Sequence, residues 1–325
     1  MSSTVNSTRA ATPHPSGASS GVLSGSGVVV QFVLLALAWG SSFLFIKIGL
    51  EELSPTQVVL ARMVFGAAAL GVFATATRSP IPRDLRLWGH LTVVTTLLCV
   101  VPFTLFAWAE QEISSGLASI FNATTPLIAM VAAAVMLTSE RLTRERVVGL
   151  GLGFVGVVII IGPFGGLGGG SVSAQLACLG ATTCYGVAFA YLRRYVAGRG
   201  VPAASLAFIQ ILIGALMMIL AAPWVASSPV DGLSWRVVVS MVVLGVFGTG
   251  FAYVWNTNIV TSWGATNGAA VTYLSPIVGV ALGVIVLSEP LTWNQPLGAT
   301  LVVVGIMTSH GRVHRVVRLR SSIDE

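Results

Sequence analysis

Long apolar runs alternate along this chain with short polar joints. The runs span about Val28–Leu50, Pro55–Thr77, Leu87–Ala107, Ile113–Leu137 and Val147–Gly162, then Ser173–Tyr195, Ala203–Trp224, Trp235–Asn258, Thr266–Ser288 and Trp293–His310. A hydrocarbon core of roughly 30 Å calls for about 20 apolar residues in a helix. Within each run apolar and polar residues do not alternate, and the runs are too long for barrel strands. They predict an all-α membrane protein with ten transmembrane helices.

Composition strengthens this reading. Hydrophobic residues make up 55% of the 325 positions and charged residues only 9%, against roughly a quarter charged in a soluble domain. The three cysteines, Cys99, Cys178 and Cys184, fall inside runs and read as small buried side chains rather than a disulfide or metal framework. No cofactor is expected.

Charge orders the loops. With the N-terminus inside, inner segments collect Arg78, Arg83, Arg86, Arg141, Arg144, Arg146, Arg193, Arg194 and Arg199. The outer loops collect Glu51, Glu52, Glu110, Glu112, Asp231 and Glu289, with Arg236 as their one cation. This is the positive-inside bias, and it predicts both termini in the cytoplasm. The distribution gives no nucleic-acid patch. Residues 1–27 read as a disordered tail, and the basic segment 311–325 as a cytoplasmic anchor at the membrane surface. The preference for Arg over Lys points to a GC-rich bacterial genome, and the membrane expected is then the bacterial plasma membrane.

The two halves of the chain, 28–162 and 173–310, share internal spacing. Glu140-Arg141-Leu142-Thr143 and Glu289-Pro290-Leu291-Thr292 are each followed by glycines nine and sixteen residues after the Glu (Gly149, Gly156; Gly298, Gly305). Trp39-Gly40 precedes Lys47 as Tyr185-Gly186 precedes Arg193. Units of five spans must sit inverted relative to each other, the plan of many secondary transporters.

Taken together, these pieces resemble the EamA-domain transporters of the drug/metabolite transporter superfamily over residues 28–310. The resemblance rests on Trp39-Gly40-Ser41-Ser42 through Lys47, Pro55 with Ala61-Arg62, Pro126 with Glu140-Arg141-Leu142, and Ser275-Pro276 with Glu289-Pro290-Leu291 and their glycines. It implies ten helices, a central cavity, and export of metabolites or amino acids. In the second half Gln210 stands near the position matching Arg62.

Candidate chemistry lies at interruptions and charges within the spans. Pro126 and Pro276 each remove a helical hydrogen bond. Paired interruptions in two halves point to a midplane site. The candidate cavity set is Trp39, Arg62, Asn122, Thr125, Pro126, Tyr185, Asn267, Thr272, Tyr273, Ser275 and Pro276; the polar members could equally bond neighbouring helices. Arg62 reads either as a clamp for a substrate carboxylate or as a packing ion pair. Lys47, the sole lysine, either snorkels or pairs with Glu51, Glu110 or Glu112, and Glu110 and Glu112 are the candidates for coupling. No acid lies in the middle of a span, so exchange of cationic drugs through a membrane-embedded Glu, known among superfamily relatives, is not expected. The Gly151–Gly156 run fits a dinucleotide fingerprint but lacks its strand–helix frame.

The expectation is therefore a secondary transporter exporting small neutral, zwitterionic or carboxylate-bearing solutes by alternating access, with substrate and lipid bilayer as its partners. A passive channel and an intramembrane enzyme are the alternatives. The enzyme would need a facing nucleophile–base pair or metal ligands, and the spans offer neither.

Overall fold

The computed structural model describes residues 25–136, 143–161, 171–196, 199–226, 228–230, 232–263 and 271–309. All regular structure among them is helical. The helical rods are α1 (Gly25–Gly49), α2 (Pro55–Ala76), α3 (Leu85–Ala109), α4 (Ser115–Met136), α5 (Arg144–Ile161), α6 (Val172–Tyr195), α7 (Ala203–Val225), α8 (Trp235–Gly245, continuing to Trp263), α9 (Val271–Leu287) and α10 (Asn294–Ser309). Among the described residues, α1 to α4 and α6 to α8 are long and apolar enough to cross a membrane. The helix α5 opens on Arg144, Glu145 and Arg146. For α9 and α10 the described lengths are 17 and 16 residues, and each abuts residues outside the described set.

Serines at the joints start the helices. Ser54 caps α2 in a reciprocal box: the Gln57 N–H donates to the Ser54 hydroxyl, and the Ser54 N–H donates to the Gln57 side-chain oxygen. Pro55 follows at the first helical position, where its missing N–H costs nothing. Ser114 and Ser234 cap α4 and α8 by the one-way bond alone, each accepting a backbone N–H three residues on.

Three rods depart from the uniform helices that the apolar runs suggest. α4 stops at Asn122 and restarts at Thr125, so Pro126 sits in the first turn of a new segment rather than kinking a continuous one. Pro276 lies inside α9 as expected. α3 and α8 each contain a π-helical turn, Thr96–Val100 and Val246–Phe251. Such turns insert an extra residue and re-aim side chains, often at functional sites.

Packing follows the small residues. α5 lies along α10, with a Cβ built on Gly149 falling 2.3 Å from the Gly305 carbonyl oxygen and one on Gly156 falling 2.6 Å from that of Gly298. α1 packs on α9 and α8, α6 on α4 and α3, α2 on α7 and α8, α7 also on α3, and α4 on α9. Gly40 touches α9 at Ser275 and Val278, and Gly186 touches α4 at Ile128 and Ala129. The outward faces are apolar, with Phe154 69% and Ile285 76% exposed, a surface suited to lipid rather than water.

The rods leave two recognisable ends. One carries Glu51, Glu52, Glu110, Glu112 and Glu289 and is called the acidic end below. The other carries Arg78, Arg83, Arg86, Arg193, Arg194 and Arg199, with Arg199 paired to Asp84 at 3.0 Å.

Candidate functional site

Arg62, two turns into α2, is only 6% exposed. Its Nε–H donates to the Thr249 hydroxyl at 2.8 Å, and its guanidinium carbon lies 3.6 Å from the centroid of the Phe103 ring. Thr249 belongs to the π turn of α8, and Phe103 follows the π turn of α3, so both interruptions serve this one side chain. Tyr185, Tyr253, Cys99 and Glu110 are the ionisable groups within its electrostatic range. A guanidinium has five N–H donors in a planar fork. Beyond Nε, that fork has no acceptor among the described residues, and a buried charge left in that state is costly. The arrangement suits an incoming carboxylate, which the fork would take through two parallel hydrogen bonds.

Across the centre stands a neutral counterpart. Gln210 on α7 donates to the Cys99 sulfur in the π turn of α3 at 3.5 Å, and Cys99 lies 3.5 Å from the Tyr253 hydroxyl. Thr95 donates to the Gln210 carbonyl at 3.0 Å. Thus α2 reaches the π turn of α8 through Arg62, and α7 reaches that of α3 through Gln210.

The structure gathers only some of the residues singled out from the sequence. Tyr185 sits beside the centre, its ring 6.1 Å from Phe106, on the helix that also contributes Thr182. Trp39 instead packs with Phe32 and Trp255 in a separate apolar cluster. Asn122 ends the first segment of α4, half-buried, and the hydroxyl of buried Thr125 has no partner among the described residues. Ser275 donates to the carbonyl of Val271 in its own helix, and Pro276 is buried beside it. Asn267 and the side chains of Thr272 and Tyr273 lie outside the described residues, as does Glu140.

Hydrogen bonds clasp the helix ends together at the acidic end. Lys47 donates to the backbone carbonyls of Glu110 and of Ile113, the latter at 2.9 Å, rather than to a carboxylate. The carboxylate of Glu289 accepts from the Ser115 N–H at 2.8 Å, the Ser115 hydroxyl at 2.8 Å and the Gly116 N–H at 3.1 Å. It thereby caps the N-terminus of α4 with negative charge. Thr56 donates to the carbonyl of Val225, Gln57 to those of Ala226 and Ser228, and the Ser234 N–H donates to Glu52. A hollow of about 360 Å³ opens beside this clasp, lined by Lys47, Glu112, Glu289 and Gln295 among others. Replacing Glu289 by alanine should strand the α4 donors and lower the thermal midpoint of the purified protein, the loss of charged-group bonds costing about 1.5–3 kcal/mol. Unchanged melting would show that the clasp contributes nothing.

Sequence reasoning missed Phe103 and Thr249 as partners of Arg62 and gave Glu289 only the role of marking a span's end. The signal for Thr249 is the run Gly245-x-x-Gly248-Thr249-Gly250, whose small residues let α2 approach so closely that a Cβ on Gly245 would sit 3.0 Å from the Arg62 carbonyl oxygen.

An all-helical bundle with an apolar exterior and a polar, charged centre defines a multi-pass membrane protein built to handle a solute. The EamA-like transporter family matches residues 26–162 and again 172–309. The chain belongs to that family of transporters. A "Probable amino-acid metabolite efflux pump" of Escherichia coli is 25% identical over 295 residues, 85% of this chain and 92% of its own. An "Uncharacterized transporter" of Archaeoglobus fulgidus is 26% identical over 280 residues, 85% of this chain and 97% of its own. A solved crystal structure shares the fold with a TM-score of 0.64 at 19% identity, covering 90% of this chain and 99% of that one.

Proposed function

We propose that this protein exports small carboxylate-bearing metabolites, amino acids foremost, across a bacterial plasma membrane by alternating access. The observation that carries the reading is the buried Arg62 fork, stacked on Phe103 and with no carboxylate bonded to it among the described residues. A solute carboxylate would remove the burden of that unpaired charge. The efflux function named for the E. coli relative supports export.

In this reading all ten rods cross the membrane, as two inverted five-helix halves. The packing pairs support this. Exchanging each helix for the one five places away turns α1–α9 into α6–α4, α1–α8 into α6–α3 and α2–α8 into α7–α3, and leaves α2–α7, α4–α9 and α5–α10 unchanged. The glycines agree, the ninth-position residue of each half meeting the sixteenth-position residue of the other. By the positive-inside bias the acidic end faces outward and both termini lie in the cytoplasm. The clasped acidic end then makes this conformation closed to the outside.

The test is efflux from proteoliposomes loaded with a radiolabelled mixture of protein amino acids. Saturable efflux that unlabelled amino acids accelerate from the far side is expected of a carrier. Non-saturating flux would favour a channel. Movement of quaternary ammonium compounds, with no amino or organic acids, would overturn the reading.

A further inference from the structure

Glu110 is the residue after α3, in the clasp at the acidic end. It is fully buried at 0% exposure, and neither carboxyl oxygen has a hydrogen-bond partner among the described residues. Lys47 on α1 is the cation beside it, and Lys47 directs its hydrogen bonds at two backbone carbonyls, one of them that of Glu110 itself. Each remaining group in range sits on a different element: Glu289 before α10, Arg62 on α2 and the thiol of Cys178 on α6. An ionised carboxylate buried without a partner is far costlier than a neutral one, so such a group takes up a proton instead. Burial pushes the Glu110 carboxyl well above the usual carboxylate range; Lys47 and Arg62 pull the other way and Glu289 adds to the rise.

We propose that Glu110 is a proton-binding site whose occupancy is required for the acidic end to close, and that it couples solute export to proton entry. This rests on the exporter reading above. When the clasp parts, with Lys47 leaving the carbonyls and Glu289 leaving Ser115 and Gly116, Glu110 meets external water and ionises. Closing returns it to the apolar interior, and one proton from external water binds a carboxylate oxygen. Opening of the other end lets that proton pass to cytoplasmic water through the centre, where the positive Arg62 favours its release. Phe103, under Arg62, and Glu110 are seven residues apart on the continuous rod of α3 and its cap. They therefore share a face about 10 Å apart, and a solute leaving Arg62 for the outside passes Glu110. On that leg the amino group of the solute, in place of the proton, is the counter-charge for the carboxylate. Proton and solute thus move in opposite directions.

Two measurements on the full chain in lipid test this. The first is the infrared difference between wild type and Glu110→Gln at neutral pH, well resolved in a protein with only 11 acidic side chains. Loss of a protonated-carboxyl band is expected. Loss of an ionised-carboxylate band would overturn the proposal without touching the exporter reading. The second follows a trapped pH dye during efflux of the labelled amino-acid mixture. Wild-type efflux should draw protons inward and quicken several-fold as the outside is acidified, whereas Glu110→Gln should show neither response and Glu110→Asp should keep both. Wild-type efflux with no proton movement also overturns the proposal. A protonated band together with no efflux of any amino acid would uphold the proton site and sink the exporter reading.

Discussion

Arg62→Met is expected to abolish amino-acid efflux while the protein still folds and inserts. Among the described residues the guanidinium fork has one hydrogen bond, from Nε to Thr249, and it stacks on Phe103. Its remaining donors are what a carboxylate would engage. Removing one partner of a buried, hydrogen-bonded charge pair costs about 2–5 kcal/mol, or roughly thirty-fold and upward in affinity. Methionine keeps much of the length and rests on the ring, and the desolvation burden of an unpaired cation disappears with it. The thermal midpoint should therefore hold or rise while efflux is lost. Arg62→Lys separates charge from geometry. It retains a cation but not the planar two-point fork, so affinity should fall strongly without reaching the methionine level. Efflux by Arg62→Met at the wild-type rate would show that Arg62 holds the helices together and nothing more.

The sequence made the apolar spans and the spacing of small residues legible because both are local properties. Trp39-Gly40 and Tyr185-Gly186 stand out as matched pairs, and their glycines do make matched contacts, on α9 and on α4. Their aromatic neighbours then diverge: Tyr185 borders the centre, whereas Trp39 joins Phe32 and Trp255. Which side of a helix faces the centre depends on the tilt and rotation of its partners, and no single helix records that. The π turns were hidden for a related reason. A run such as Val246–Phe251 keeps the apolar composition of an ordinary span while gaining one residue per turn. That extra residue turns Thr249 toward Arg62. Lys47 shows the limit most clearly. Its charge leaves open snorkelling to the surface or pairing with a carboxylate, but its acceptors are backbone carbonyls, which every loop has and no side-chain pattern reveals.

The asymmetry at the centre also has a chemical reading. The helices pack as matched pairs, but the matched side chains differ: Arg62 with Thr249 on one side, Gln210 with Cys99 on the other. Two guanidiniums in one small buried space would repel each other and double the desolvation burden. On the proposed function, a single cation with a neutral amide and the two tyrosines, Tyr185 and Tyr253, would instead offer a solute a charged pole and a polar, uncharged one. This suits a molecule with one carboxylate better than a dianion.

Substitution at the α5–α10 seam should have the largest effect on stability. Without a hydrophobic driving force between helices in lipid, close packing of small residues holds them together. A Cβ on Gly149 would lie 2.3 Å from the Gly305 carbonyl oxygen and 2.7 Å from the Ser309 nitrogen, and one on Gly305 would lie 2.5 Å from the Gly149 carbonyl oxygen. These neighbours are backbone atoms, which cannot swing aside, so one methyl must push two helices apart. The cost is about 1–3 kcal/mol or more. Gly151, on the same helix, has nothing within 4 Å of its Cβ position and supplies the control. Gly149→Ala and Gly305→Ala should each lower the thermal midpoint of the reconstituted protein, and Gly151→Ala should not, since its methyl meets open space and alanine favours the helix. The double variant Gly149→Ala with Gly305→Ala should lose less than the sum, because one separation of the helices relieves both clashes. Full additivity would mean that the two glycines do not share a seam. Equal behaviour of Gly149→Ala and Gly151→Ala would mean that α5 and α10 are not in contact there, and the pairing of the two halves through these helices would fall with it.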